Sequence, residues 1–483
     1  MSLKQKTISG FIWTGAGMLG NGFVSFLVTM ILARILLPYH FALVELLLIF
    51  LAISNVIVDS GFSQAIIRDD NPSQTDLSSV FYFNIALSFT LYILLFFAAP
   101  YISDYFEAPE LTLLSRVVFL VIIFNSFSII QNATLNRNLN FAAVNKSSVI
   151  GSFLAGGISI IMAFTGFGIW ALVANMVLLP FFRSILLWYH SNWRPKKSFS
   201  IKSVKRYFAF GGFLMVQGII DAISTNLVSL LIGKTYTKND LGYFSQGKKL
   251  DGYIISPFNS IVQKVTYPIL SKIKNEGERL KEGYRKIVGV VMFVFIPVMF
   301  LTIGASDNMI ITLFGEKWAE AGIYLKIAAI GGLLFPLQTV CTNIIMIKAK
   351  TKMLLRFAFI KHGLRIVLLL SFLKLGVLAL AIVFSLSTII GSLLYISLGM
   401  KYLKYSIIEL FKDLYKTIIA SLFGLMLVLI LNYLLSDQNT ILIFALQSII
   451  MAITYLIFSI VLKNEFYKES ILIFEPLLLK IKK

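Results

Sequence analysis

Lys361 and Arg365 stand four residues apart in a stretch otherwise made mostly of Leu, Phe, Ile and Val, with Arg356 before them and His362 between. Residues four apart share one face of a helix. Ionisable groups in such a stretch are costly in hydrocarbon and face a bundle interior or a water-filled cavity, so they are candidates for contact with an anion. Arg365 is too deep in the stretch to reach its end easily. For Arg356 and Lys361 the alternative is snorkelling, in which the charge climbs back to the polar boundary. Arg116 and Lys326 occupy corresponding apolar segments, the fourth and the tenth, each near one end, where contact and snorkelling are both open. Arg34 closes the first apolar segment and Arg137 follows the fourth, with a charge anchor as the alternative for Arg137. The acids are fewer. Asp221 sits mid-segment near Gln217 and Asn226, and Glu45 lies in the second segment. Either carboxylate is suited to a coupling proton or cation, or to pairing with one of the cations. Asn21, Asn55, Asn84, Asn125, Gln131, Asn175 and Asn343 offer hydrogen bonds to a polar ligand or, as is commoner, between helices.

Signals of catalysis are missing. There is no Gly-x-x-x-x-Gly-Lys-Ser/Thr loop for a nucleotide. His40, His190 and His362 have no metal-ligand spacing, and there is no Asp-x-Asp pair. An ATP-driven pump, a glycosyltransferase and a polymerase are all disfavoured, and no cofactor is expected beyond a coupling H+ or Na+.

The elements that hold these residues follow from composition. Hydrophobic residues make up 58% of the 483-residue chain and charged ones 14%, with a mean hydropathy of +0.85. A soluble domain carries roughly 25% charged residues. The chain reads as an all-α integral membrane protein with about fourteen spans. They run over 8–36, 41–58, 79–99, 111–131, 147–165, 168–188, 208–232, 251–270, 287–303, 320–345, 353–373, 376–398, 413–435 and 440–462. Ser256, Pro257, Asn259, Ser260, Gln263 and Lys264 interrupt the eighth, which makes it a candidate for a broken or cavity-lining helix. With the N-terminus inside, cytoplasmic loops and tails hold about 28 Lys and Arg and the outside loops about 6, as the positive-inside rule requires. Lys234, Lys238, Lys248 and Lys249 are the exception, placed outside by parity. The net charge of +20 then reflects orientation and anionic lipid contact, not nucleic acid. The basic start of the chain leads directly into an uncleaved first span. Cys341 reads as a packing residue. The tail from Lys463 to Lys483 mixes Phe, Ile and Leu with Lys and reads as an interfacial amphipathic helix.

The chain also looks duplicated. Ala33-Arg34-Ile35-Leu36-Leu37-Pro38 with Phe41-Ala42-Leu43 is echoed by Ile232-Gly233-Lys234-Thr235 with Leu241-Gly242-Tyr243. Gly168-Ile169-Trp170-Ala171-Leu172-Val173 is echoed by Gly376-Val377-Leu378-Ala379-Leu380-Ala381 at nearly the same offset. Six spans separate the copies. The expectation is two like-oriented six-helix lobes, 1–200 and 201–405, related by a pseudo-two-fold along the membrane normal, with 406–483 holding two further helices and the tail. Parallel repeats of this kind belong to transporters that alternate access to a midplane site between the halves.

At these stretches the chain resembles the polysaccharide transporter family, the Wzx-type oligosaccharide flippases of the multidrug/oligosaccharidyl-lipid/polysaccharide exporter superfamily. Further matching stretches are Gly10-Phe11-Ile12-Trp13, Asp59-Ser60-Gly61-Phe62 and Leu135-Asn136-Arg137-Asn138-Leu139-Asn140-Phe141. Gly166 to Leu172 and Trp193-Arg194-Pro195 also match. The resemblance implies a fourteen-helix fold and ion-coupled movement of undecaprenyl-pyrophosphate-linked oligosaccharide units across a bacterial inner membrane, for O-antigen, capsule or exopolysaccharide. Expected partners are that lipid-linked oligosaccharide, membrane lipids, and a polysaccharide polymerase with its chain-length machinery. A pyrophosphate needs cations, which gives Arg365, Lys361, Arg116, Lys326, Arg137 and Arg34 a shared purpose and leaves Asp221 and Glu45 for coupling. The chain departs from the family at Pro38-Tyr39-His40-Phe41-Ala42, where relatives carry an acid and a glycine, so the external mouth is expected to differ. The competing reading is an exporter of the same fold for lipid II or small cationic drugs; a small-drug exporter would favour a compact, acidic or aromatic pocket.

Overall fold

A computed structural model describes the backbone of residues 3–348, 351–435, 438–467 and 469–470. Among these residues all regular structure is helical, in fourteen passes. They are α1 (Leu3–Ile35), α2 (Pro38–Arg68), α3 (Gln74–Phe106), α4 (Glu110–Arg137), α5 (Phe141–Phe164), α6 (Trp170–His190), α7 (Ile201–Thr235), α8 (Lys238–Lys272), α9 (Gly277–Gly304), α10 (Ala321–Ile347), α11 (Thr351–Ser371), α12 (Val377–Leu403), α13 (Ile407–Leu434) and α14 (Thr440–Val461). A short helix, Ser306–Phe314, bridges α9 and α10. Twelve passes are long and apolar enough to cross a membrane. The other two, α8 and α11, carry Lys248 and Asp251, and Lys361 and Arg365, respectively. This is a multi-pass membrane protein, and the two passes outside those twelve hold the candidate chemistry.

Local sequence explains where the helices begin. Ser73 and Asp76 form a capping box at α3, with Asp76 N–H donating to Ser73 Oγ at 3.1 Å and Ser73 N–H to Asp76 Oδ2 at 3.0 Å. Ser406 and Glu409 repeat the device at α13. Thr237 and Asp240 do the same at α8, with Thr237 N–H donating to Asp240 Oδ2 at 3.1 Å. That cap starts α8 at Lys238, thirteen residues before the start expected from hydropathy, and leaves a two-residue corner after α7. Lys238, Lys248 and Lys249 are therefore helical and not an outside loop. The interruption at Ser256-Pro257 does not break α8, which is continuous to Lys272. Helix begins again at Glu465 beyond α14, while the rest of the expected tail helix, from residue 471, lies outside the described residues.

The chain divides into two compact units, Met1–Ser245 and Gln246–Lys483. The lobe limits read from the repeat, with a boundary at 200, rest on duplication and stay an expectation; by compactness α7 packs in the first unit.

In that unit α5 presents a buried stripe of small residues, Ser147, Gly151, Ser152, Ala155, Gly156 and Ser159, to α1 and α6. Small residues let backbones approach where no hydrophobic force acts between helices. A Cβ on Gly151 would sit 3.2 Å from Arg183 N. α2 bends at Ser60 and Gly61, both in the left-handed region (φ 46° and 71°). There it meets α7 backbone to backbone: a Cβ on Gly61 would lie 2.6 Å from Gly211 Cα. The second unit is built around Tyr284, Phe295, Met299 and Cys341, all buried, with Tyr284 Oη and Cys341 Sγ 3.2 Å apart. Phe97, Phe153, Phe164 and Tyr433 are among many large apolar side chains left exposed, as a lipid-facing surface requires.

Corner contacts alternate as an up-and-down chain demands. In the first unit the ends after α2, α4 and α6 meet: Arg137 Nε donates to Asp69 O at 3.0 Å, and Gln74 Nε2 to Arg194 O at 2.6 Å. Arg206 bridges Asp69 and Asp76 at 3.1 and 2.8 Å. The corners after α3 and α7 meet separately, through Lys234 and Glu107 at 2.8 Å. In the second unit Lys281–Glu409 (2.7 Å) and Arg285–Asp413 (2.6 Å) join the starts of α9 and α13.

Candidate functional site

The α11–α12 hairpin of the second unit brings the strongest candidates together. One face of α12 carries Phe384, Ser387, Thr388, Gly391 and Tyr395 at helical spacing, and α11 runs antiparallel against it. Arg365 is 5% exposed. Its Nε donates to Ser387 Oγ and its Nη2 to Thr388 Oγ1, both at 3.0 Å, and its guanidinium lies 4.5 Å from the Phe384 ring centre. Two hydroxyls and a ring face thus fix a planar cation in one orientation. One turn away, the stem of half-buried Lys361 crosses Gly391, where a Cβ would lie 2.7 Å from Lys361 Cδ. The Lys361 ammonium stands 6.0 Å from the Tyr395 ring. Tyr395 in turn donates to Leu354 O at 3.3 Å and packs at a tilt against Phe357. His362 is buried between the two cations in sequence.

A third cation joins them from α8. Lys248 Nζ is 5.0 Å from the same Phe384 ring. Sharing that ring holds the charges of Lys248 and Arg365 near one another, at the protein's least apolar helices. Hydropathy alone placed Lys248 in a loop, so only the Thr237–Asp240 cap could have marked it from sequence. Three residues on, Asp251 is 8% exposed, and its Oδ1 makes no hydrogen bond among the described residues. It faces Gly332 of α10, where a Cβ would lie 3.6 Å from Oδ1, with Ile255 and Met299 beside it. Burial of a carboxylate among apolar side chains is costly, which makes Asp251 a candidate functional group.

The remaining candidates are dispersed. Lys326 lies 3.9 Å from Asp307 on the short helix. In the first unit the Arg116 guanidinium covers the Phe96 ring at 4.4 Å, and its Nε is buried without a hydrogen bond among the described residues. Arg137 is held by the carbonyls of Asp69 and Asp70, an anchoring geometry. Arg34 is exposed at the end of α1. Glu45 accepts a hydrogen bond from Ser229 Oγ of α7 at 2.9 Å, and Asp221 is half-buried on α7. Arg183 of α6, which the sequence reading does not single out, has a buried Nε with no hydrogen bond among the described residues. Of the amides, Asn125 donates to Asn55 Oδ1 at 2.9 Å and Ser152 to Asn21 Oδ1 at 2.5 Å, the interhelical use. Asn84 is fully buried with neither amide atom bonded among the described residues.

Outside the spans, charge is already spent on structure. The Tyr207 hydroxyl donates to Asp69 Oδ2 at 2.6 Å and, with the Asn71 N–H and Arg206, holds the Asp69 carboxyl below its ordinary value. The Lys234 hydrogen bond does the same for Glu107. At the corner where the family motif is lost, Tyr39 Oη donates to Glu110 Oε1 at 3.1 Å and Leu37 N–H donates to His40 Nδ1 at 3.4 Å. Tyr39 and His40 therefore both take part in hydrogen bonds at that corner.

A family model described as polysaccharide biosynthesis protein matches residues 31–323. The chain is 27% identical over 299 residues to the teichuronic acid biosynthesis protein TuaB of Bacillus subtilis, a match spanning 62% of each chain. It is 25% identical over 373 residues to the lipopolysaccharide biosynthesis protein WzxC of Escherichia coli, covering 75% of this chain and 74% of that one. Its fold is similar to that of the lipid II flippase MurJ in an inward closed conformation, with a TM-score of 0.75 at 18% identity over 94% of this chain and all of that one. The family model covers more than half of the sequence, and the chain belongs to the polysaccharide biosynthesis protein family.

Proposed function

We propose that the protein is a flippase that moves a lipid-diphosphate-linked oligosaccharide across the bacterial inner membrane during surface polysaccharide synthesis, by ion-coupled alternating access and without catalysis. The observation that carries this is Arg365, buried yet held by Ser387, Thr388 and Phe384 with Lys248 on the same ring and Lys361 one turn away. Three cations around one polar stripe suit a diphosphate better than a cationic drug, because a fixed guanidinium offers parallel N–H donors to two phosphate oxygens. The names of the relatives, teichuronic acid and lipopolysaccharide biosynthesis proteins, support an anionic lipid-linked precursor as cargo. For coupling, a buried carboxylate must exchange a proton or sodium ion. Asp251 meets that need more directly than Glu45, whose carboxylate is already hydrogen-bonded to Ser229.

The test is complementation. In a strain lacking this gene, Arg365→Ala is expected to abolish the surface polymer while the protein stays at wild-type level in the membrane. Wild-type polymer from the Arg365→Ala strain would remove Arg365 from the transport path.

A further inference from the structure

A second charged feature of the second unit has no part in that reading. At the end of the unit where α9 and α13 begin and the chain leaves α14, a cleft of about 380 Å³ opens among eight charged side chains, four of each sign. Two pairs are satisfied internally. Arg285 holds Asp413 through two parallel hydrogen bonds of 2.7 and 2.6 Å, and Lys286 holds Glu469 at 2.9 Å. That leaves Lys412, Lys416, Glu282 and Glu465, none of which has an ion-pair partner among the described residues. Lys412 and Lys416 share a face of α13, and the Lys416 ammonium is steered by Lys463 O at 3.1 Å. One carboxylate oxygen of Glu469, Oε2, is buried without a hydrogen-bond donor among the described residues. Phe466 folds back over Gly289 of α9 to close one side. On the outward face of α13, directly beside the lysines, Ile408 and Phe411 are about two-thirds exposed, 65% and 64%.

We propose that this cleft binds the headgroup of a zwitterionic aminophospholipid, phosphatidylethanolamine, from the leaflet at that end of the helices. The unpaired charges call for a ligand with one anion and one hydrogen-bonding cation a few atoms apart. A phosphate on Lys412 and Lys416 and a primary ammonium on Glu465, Glu282 and Glu469 Oε2 satisfy both halves. The acyl chains then lie along Ile408 and Phe411. A purely anionic headgroup leaves the carboxylates facing a second negative charge, and a choline headgroup has no N–H to donate. The site lies in the first turns of α9 and α13, the depth at which charged side chains meet headgroups. The assignment does not depend on what the protein transports.

The test is native mass spectrometry of the purified full chain with equimolar palmitoyl-oleoyl phosphatidylethanolamine, phosphatidylglycerol and phosphatidylcholine. Phosphatidylethanolamine adducts are expected to exceed either rival by about tenfold, the worth of one charge-assisted hydrogen bond. The Lys412→Gln/Lys416→Gln variant is expected to lose the preference, and Glu282→Gln/Glu465→Gln to move it to phosphatidylglycerol, a gain that misfolding cannot mimic. Equal binding of the three lipids by the wild type, or an unchanged preference in both variants, would overturn the proposal. So would displacement of the lipid by soluble glycerophosphoethanolamine at the same concentration, which would place the ligand in solution and not in the bilayer.

Discussion

The orientation of Arg365, and not its charge alone, should set the transport rate, and its two hydroxyl partners allow the two to be separated. Ser387→Ala and Thr388→Val each delete one 3.0 Å hydrogen bond to the guanidinium and leave the positive charge in place. A hydrogen bond to a charged group is worth about 1.5–3 kcal/mol in soluble proteins, and interhelical bonds in membranes fall at or below the lower end of that range. Taking about 1.4 kcal/mol for each, a single variant should slow transport about tenfold and the double variant about a hundredfold. Arg365→Lys keeps the charge but loses the fork that reaches both hydroxyls, so it should match the double variant. Adding Ser387→Ala/Thr388→Val to Arg365→Lys should then change nothing further, the non-additivity expected of groups acting as a unit. The assay is initial-rate movement of a fluorescent lipid-diphosphate oligosaccharide in proteoliposomes. Full additivity across the cycle, or wild-type rates in the double hydroxyl variant, would show that orientation through α12 is irrelevant.

Two further outcomes follow from single groups. Asp251→Asn replaces a carboxylate whose Oδ1 lacks a hydrogen bond with a neutral side chain of the same shape, so the melting temperature should not fall while transport ceases to respond to a proton or sodium gradient; a large drop in melting temperature with gradient response intact would contradict a coupling role. The second concerns pH. Asp69 has a folded pKa held below its usual 3.8, so the stability it adds is full above that value and is lost as pH falls through the lower folded value. Thermal melts should therefore drop in this acid range, and Tyr207→Phe, which removes the 2.6 Å hydrogen bond, should shrink that drop; an unchanged acid limb would mean the bond does not carry it.

Hydropathy reads twelve of the passes directly because each offers enough apolar residues to cover its length, and the positions of Arg365 and Lys361 on one face follow from helical spacing. The start of α8 is different. Asp240, Lys248, Lys249 and Asp251 look like a loop to a hydropathy window, yet a capping box fixes them in a helix and turns Lys248 and Asp251 inward. What the sequence could not supply is partnership. Nothing in the order of residues tells that Lys326 leans toward Asp307, that Glu45 meets Ser229, or that Lys248 and Arg365 share Phe384, because each pair joins segments many residues apart. Arg137 is a further case: it lies beside a family motif, and its hydrogen bonds go to two backbone carbonyls of the neighbouring corner, partners that spacing along the chain does not reveal.

The proposed function requires the cations of α8 and α11 to receive a diphosphate. Its most direct measurement is the binding of undecaprenyl diphosphate and undecaprenyl monophosphate to the purified protein and to Arg365→Ala in the same detergent. The wild type should prefer the diphosphate by about tenfold or more, and Arg365→Ala should bind the two lipids alike. Equal affinity of the wild type for both lipids, or an undiminished preference in Arg365→Ala, would contradict it.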